Sequence, residues 1–296
     1  MAVDAKKGLG FLVDHAAEGL WRISDPMGEA CYLVEGVREA ALIDSMGGVG
    51  DLGALVRSLV GNKPVRVLLT HRHVDHVSGA YWFDEAWMHA DEADCWDACE
   101  RYSDFFLGHA VHDGLASHET PFGPRDGSRP RVHEVGEGDV IDLGGRSLRV
   151  VELPGHTVGS IGFLCPELRI LFSGDAVTPI ECLCFPESAG IEAYRETLRK
   201  MRRLPFERFW TGHHLHDFTK ADLDDFEAAV DFVLAGDRGY AWHHGFIPDW
   251  EGTLHLCPCT TSDVDSCDFR AVITRGLPAP RKRRGCKKGM GPGANE

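Results

Sequence analysis

The chain contains no succession of about 18 apolar residues, the length a membrane-spanning helix needs, so no such helix is expected. Met1 to Arg22 also lacks the apolar stretch of a secretory leader, and a cytoplasmic protein is expected. Without a secretory route, the ten cysteines read as reduced thiols rather than as a disulfide framework. No C-x₂-C pair is present, so Cys257, Cys259, Cys267 and Cys286 lack the spacing of a common zinc module. No internal repeat is evident. Positive charge is scarce: 31 Lys and Arg stand against 46 Asp and Glu, giving a formal net charge of −15. Seven of those positive charges fall between Arg275 and Lys288 with no acid among them, which leaves −22 on the rest of the chain. Such a body repels a polyanion, which argues against a nucleic-acid partner. The basic run itself, flanked by Pro and Gly, reads as a solvated, mobile end, with nucleic-acid binding as the alternative.

What is present suits a soluble globular protein with a sizeable core, at 296 residues, 43% hydrophobic and 26% charged. Strand-like segments run over Cys31–Val34, Ala40–Asp44, Val65–Thr70, Asp139–Leu143, Ser147–Leu153, Ile161–Leu164 and Ile170–Phe172. Helical spacing fits Asp51–Val60, Ala90–Arg101, Ile191–Arg203 and Lys220–Leu234. Strands with helices on both outer faces predict an α/β fold, a four-layer αβ/βα sandwich. Residues 1–235 are expected to form one domain, with an insertion at about 95–131, and residues 236–296 an extension ending in the basic tail. The insertion carries Phe105, Phe106, His109, His112 and His118 without an evident helix or strand, and is expected either to cover a substrate or to pack on itself.

The richest chemistry lies in His71-Arg72-His73-Val74-Asp75-His76, four metal-ligand types within six residues, directly after a strand-like run. Imidazole nitrogen and carboxylate oxygen are what Zn²⁺ accepts in a site left open for chemistry. In an extended segment alternate side chains share a face, so His71 and His73 can address one ion. Gly79 and the Val74/Val77 pair suggest that a short helix follows, which would turn Asp75 and His76 toward a second ion. Three further candidates each end a strand-like run behind a glycine: His156 in Pro154-Gly155-His156, Asp175 in Ser173-Gly174-Asp175, and His213 in Thr211-Gly212-His213. The small residue lets the backbone approach closely.

These motifs, in this order, resemble those of the metallo-β-lactamase-fold hydrolases, the superfamily of glyoxalase II, the lactonases and the RNase Z-type nucleases. The resemblance runs from about Cys31 to about Leu234 and includes Asp44 at the end of an early strand. It implies that His71, His73 and His156 hold one Zn²⁺, that Asp75, His76 and His213 hold the other, and that Asp175 bridges them. Iron or manganese are alternatives to zinc. It implies a hydroxide shared by the two ions as nucleophile, with Asp75 the catalytic residue that orients it. Asp44 would fix a histidine or the backbone of the cluster. If the segment after Gly212 is extended, His214 points away from His213.

The branch is harder to read. Ala176-Val177-Thr178 replaces the Gly-Cys-Gly-Arg continuation of glyoxalase II, and His213-His214-Leu215 replaces its His-Glu-Tyr. Thr178 stands where a lactonase places Tyr. An apolar approach is expected from Trp82, Phe83, Cys182, Cys184, Phe185 and the aromatics of the insertion, suiting a small ester, thioester, lactone or amide. The alternative is a phosphodiesterase or nuclease of the same fold. Nothing in the sequence sets the oligomeric state.

Overall fold

A computed structural model describes residues 10–245, 247 and 249–277. The basic run beyond residue 277, with Cys286, lies outside them. Two sheets stack face to face. The first has the order β1 (Leu12–Ala17), β2 (Leu20–Ser24), β3 (Ala30–Glu35), β4 (Ala40–Ile43), β5 (Val65–Leu68), β6 (Glu85–Met88), β7 (Arg131–Glu134). It is antiparallel through β4 and parallel from there on. The second is built from β8 (Val140–Asp142), β9 (Ser147–Glu152), β10 (Ile161–Cys165), β11 (Ile170–Gly174), β13 (Arg208–Thr211) and β14 (Phe218–Thr219), with β13 parallel to β11.

Strand alternation decides which side chains fill the space between the sheets. On β3, Tyr32 and Val34 face inward to meet Phe163, Phe172 and Trp210. Leu33, between them, faces outward under α1 (Leu52–Val60) and α3 (Trp96–His112). On the opposite outer face, Val151, Leu153 and Leu171 pack against α5 (Ile191–Arg203) and α6 (Leu223–Leu234). The layers are therefore αβ/βα, as expected. On α5, Tyr194, Thr197, Leu198 and Met201 recur at helical spacing and are the residues that become buried. Asp51 caps α1, its carboxylate accepting the N–H of Ala54 at 2.7 Å.

Two features differ from the sequence reading. The expected helix at Ala90–Arg101 is a single 3₁₀ turn at Ala90–Glu92, and α3 starts only at Trp96. The break has a cause: the Glu92 carboxylate is fully buried and accepts the backbone N–H groups of Arg72 at 3.0 Å and Gly159 at 2.8 Å. The insertion is mostly α3 itself, followed by a loop and the short α4 (Gly123–Asp126), rather than a structureless excursion.

A third sheet joins the chain's end to the sandwich. In it β12 (Ile180–Leu183) runs parallel to β17 (Ala271–Thr274), followed by β16 (Glu251–Leu256) and β15 (Tyr240–His243). Cys257 is buried under α6, with Ala229 and Val272 in the same cluster. Among the described residues, no helix is long and apolar enough to cross a membrane.

Candidate metal centre

Seven side chains from five segments converge where β4, β5, β11 and β13 end. His71 and His73 follow β5, and α2 (Val74–Val77) begins directly after them, turning Asp75 and His76 inward. His156 comes from the β9–β10 connection, Asp175 from the end of β11 and His213 from the end of β13. Three groups form: His71, His73 and His156; His71, His76 and Asp175; and Asp75, His76 and His213. Within each group the ligand atoms lie within 4.8 Å of one another. All the expected ligand residues are brought together; His71 and His76 are each shared by two of the groups, and the Asp175 carboxylate lies 3.4 Å from His76 Nε2, 3.0 Å from His213 Nε2 and 4.0 Å from His156 Nε2.

Close backbone approach makes this convergence possible. A Cβ on Gly212 would collide with Asp175 Oδ1 and His76 Cε1, and a Cβ on Gly174 would collide with the Thr70 hydroxyl. Asp44 ends β4 in a left-handed conformation, φ 58°, that aims its carboxylate at the cluster. Non-glycine residues rarely adopt it without a functional reason. Asp44 accepts the Thr70 N–H at 2.8 Å and contacts His76 Nδ1 at 2.9 Å.

Four of the five imidazoles, His71, His73, His76 and His156, are oriented through their other nitrogen. His73 Nε2 lies 3.0 Å from Glu187 Oε1, and His156 Nδ1 lies 2.8 Å from the Cys182 carbonyl. The Thr70 hydroxyl donates to Asp44, so its oxygen is left to accept from His71 Nδ1 at 3.1 Å. These partners are acceptors, so each ring carries its proton on the outer nitrogen. The inner nitrogens then present lone pairs toward one another. His73 Nδ1 and His156 Nε2 stand 2.8 Å apart. His71 Nε2, His76 Nε2, Asp75 Oδ1 and Asp175 Oδ1 are buried and lack any hydrogen-bond partner in the protein. Leaving buried polar atoms unpaired costs about 1–3 kcal/mol each. A cation accepts lone pairs from all of them, so the donor set fits a metal.

The electrostatics point the same way. Burial holds His71, His73 and His156 below the usual imidazole range. Burial also opposes charge on His76 and His213, but Asp175 leads the carboxylates that outweigh it and raise both rings. Burial alone would raise Asp75 and Asp175, yet His76 and His213 outweigh it and hold both carboxyls below their usual range. Two ionised carboxylates, with His71, His73 and His156 held neutral beside them, are a field that favours positive charge, on His76 and His213 here and on a dication where one binds.

Three cavities meet at Trp250. One of about 350 Å³ faces the cluster, one of about 460 Å³ runs past His73 to Arg72, Arg101 and Tyr102, and one of about 300 Å³ extends from Asp75 to Glu29 and Phe106. Two expectations are corrected here. Trp82 and Phe83 do not line these cavities; they pack against the core under the first sheet, and Trp82 Nε1 donates to the Gly50 carbonyl. His214 does not turn away, because the chain bends at Gly212–His213 rather than staying extended. It lines the same cavity as His213, and burial followed by the neighbouring His213 pushes its ring down to about 4. The insertion does reach the site, through Tyr102, Phe106 and His109 on α3. Sequence reasoning missed Glu187, Trp242, His244 and Trp250. The Trp242-His243-His244 run and nearby Trp250 were the available signal.

Comparison with known proteins agrees with this geometry. A family model described as the metallo-beta-lactamase superfamily matches residues 24–213. An acyl-coenzyme A thioesterase MBLAC2 from Gallus gallus is 34% identical over 163 residues, 49% of this chain and 56% of that protein. A hydroxyacylglutathione hydrolase from Cereibacter sphaeroides is 30% identical over 182 residues, 60% of this chain and 58% of that protein. The chain thus spans little more than half the length of these curated relatives. A metallo-beta-lactamase family protein from Thermus thermophilus shares the fold with a TM-score of 0.55 at 21% identity, over 74% of this chain and 81% of the other.

Proposed function

The chain belongs to the metallo-beta-lactamase superfamily, and from that premise we propose that it is a dinuclear metal-dependent hydrolase of a small acyl substrate, an ester, thioester, lactone or amide. The observation that carries this reading is the set of buried, unpartnered atoms His71 Nε2, His76 Nε2, Asp75 Oδ1 and Asp175 Oδ1 on residues of the overlapping ligand groups. His71, His73 and His156 would hold one ion; Asp75, His76 and His213 would hold the other, and Asp175 would serve both. Imidazole-rich donors with carboxylates suit zinc. Bound zinc supplies Lewis acidity and lowers the pKa of water to about 7.

The protein's own groups do the rest. Asp75 Oδ2 lies 3.4 Å from His213 Nε2, and the Asp75 carboxylate would orient the attacking water. Asp44 and Glu187 hold His76 and His73 in the orientation that binding needs. Residues 1–235 would form the hydrolase domain, and the extension after them would complete the cavity. Two relatives whose names denote thioester hydrolases make thioesters the first class to try.

The test is a panel of acyl esters, thioesters, lactones and phosphodiesters offered to the metal-loaded protein, with Asp75→Ala and Asp175→Ala alongside. Asp75→Ala is expected to lose most turnover while keeping at least one metal, whereas Asp175→Ala loses metal. Full turnover and two metals in Asp175→Ala would refute the shared role. Turnover of phosphodiesters alone would refute the acyl reading.

A further inference from the structure

The lining of the 350 Å³ cavity is of two kinds. His73, Asp75, His156, Asp175 and His213 belong to the candidate metal centre, and Thr178, His214 and His244 are the other polar groups. The rest is Ile180, Cys182, Phe185, Trp242, Trp250 and Ile273. The latter set comes from β12 with its following loop and from the third sheet, and Trp242, Trp250 and Ile273 lie beyond the segment the family model matches. The wall is ordered by register. Cys182 on β12 pairs with Ile273 on β17, so their side chains stand side by side. Phe185 and Trp250 meet edge to face with ring centroids 4.7 Å apart, and Phe185 reaches His73 at 4.4 Å. These residues form their own apolar cluster, which touches the core under the first sheet through Trp250.

The chemistry of the lining restricts what fits. Apart from Asp75 and Asp175, no Asp, Glu, Lys or Arg lines the cavity, and its one hydroxyl, Thr178 Oγ1, is already donated to the Ile180 carbonyl at 2.8 Å. His244 packs between Trp242 and Trp250, ring centroids 5.9 and 5.1 Å away, and burial holds its ring below the usual imidazole range, so a group entering beside the tryptophans finds mainly aromatic and aliphatic surface. We propose that this cavity is the subsite for the acyl chain, and that the substrate is a thioester of an unbranched aliphatic acid of about six to ten carbons. The length follows from volume. At about 30 Å³ per liquid-packed heavy atom, the cavity holds about a dozen atoms, of which the reacting carbonyl, its leaving sulfur and the attacking water take about four. The inference rests on the hydrolase reading and specifies its substrate. In the reaction the acyl carbon gains the water oxygen, the carbon–sulfur bond breaks, and a proton from water ends on the departing thiol.

Two measurements separate the subsite from the hydrolase reading. The first follows kcat/KM of the metal-loaded protein over straight-chain thioesters from acetyl to dodecanoyl, all on N-acetylcysteamine. It is expected to rise about three- to fourfold per methylene, to peak between six and ten carbons and then to fall. Ile180→Trp, at a half-buried position on the wall, moves the peak to shorter chains, and Trp242→Ala moves it to longer ones. The second is calorimetric binding of octanoate against acetate. Octanoate is expected to bind at least tenfold more tightly, with the difference reduced in Ile180→Trp. No thioester turnover together with selective octanoate binding would overturn the thioester assignment and leave the subsite standing, and turnover of no acyl substrate at all would overturn the hydrolase reading. A chain-length profile that is flat, or unmoved by Ile180→Trp, or no preference for octanoate, would overturn the subsite.

Discussion

Gly212→Ala is the sharpest local perturbation of the cluster. The added methyl would lie inside 3.0 Å of both Asp175 Oδ1 and His76 Cε1, a distance real Cβ atoms essentially never reach. Regaining an ordinary contact of 3.4 Å requires one or both side chains to retreat by about half an ångström to one ångström. Both belong to the set proposed to hold metal, and Asp44, itself held by the Thr70 hydroxyl, pins His76 from behind, so the displacement falls on ligand geometry. A shift of about 1 Å at reacting groups costs about a hundredfold in rate, and overpacking of this kind about 1–3 kcal/mol in stability. Metal content by elemental analysis, kcat/KM and circular dichroism on one preparation check this. Gly108→Ala is the matched control: it sits within α3 with nothing within 4 Å of its Cβ, and should raise stability by up to about 1 kcal/mol without loss of metal. A folded Gly212→Ala protein with full metal and full turnover would refute the account of how the glycine brings the cluster together.

Two other outcomes are expected. Glu187→Ala removes the acceptor that orients His73 and should weaken metal binding about 10–100-fold, while Glu187→Gln, which can still accept, keeps most of it; competition with a chromophoric chelator reads the difference, and equal affinities would contradict it. Asp217 lies 2.6 Å from Arg22, 3.1 Å from Arg208 and 2.7 Å from Trp210 Nε1. Burial works against its charge, but the Trp210 hydrogen bond and the two guanidiniums outweigh it and hold the carboxyl below its usual 3.8. The depressed value favours the folded state above pH 3.8, and this contribution fades as pH falls further, through the folded-state value. The melting-temperature gap between the parent and Asp217→Asn should be widest near neutrality and close in acid; a gap constant with pH would contradict it.

The chemistry was legible where it is local. His71 to His76 lie within one turn of chain, and no core or surface role explains three histidines and a carboxylate at that spacing. The glycines before His156, Asp175 and His213 carried a second signal, and all three close approaches now have named partners: Gly155 against Tyr194, Gly174 against Thr70, and Gly212 against His76 and Asp175. On α3, buried Trp96, Cys99, Ser103, Phe106 and Ala110 recur every three or four residues, so this helix was legible in the sequence, and the expectation erred by ending it at Arg101. What stayed hidden depends on tertiary partners. The late start of α3 was decided by Glu92, whose burial comes from backbone donors 20 and 67 residues away. The third sheet was invisible because its core is completed by β12, far away in sequence. For the same reason the aromatic wall was assigned to Trp82 and Phe83 instead of Trp242 and Trp250.

The central claim is that the inward-facing donors hold two metal ions that make the protein a hydrolase. Elemental analysis of freshly purified protein, compared with Asp175→Ala and paired with thioester turnover, tests it most directly. Close to two zincs per chain in the parent, fewer in the variant, and turnover that follows the metal are the expected result. A folded parent that binds no metal, even when zinc is supplied, would contradict it.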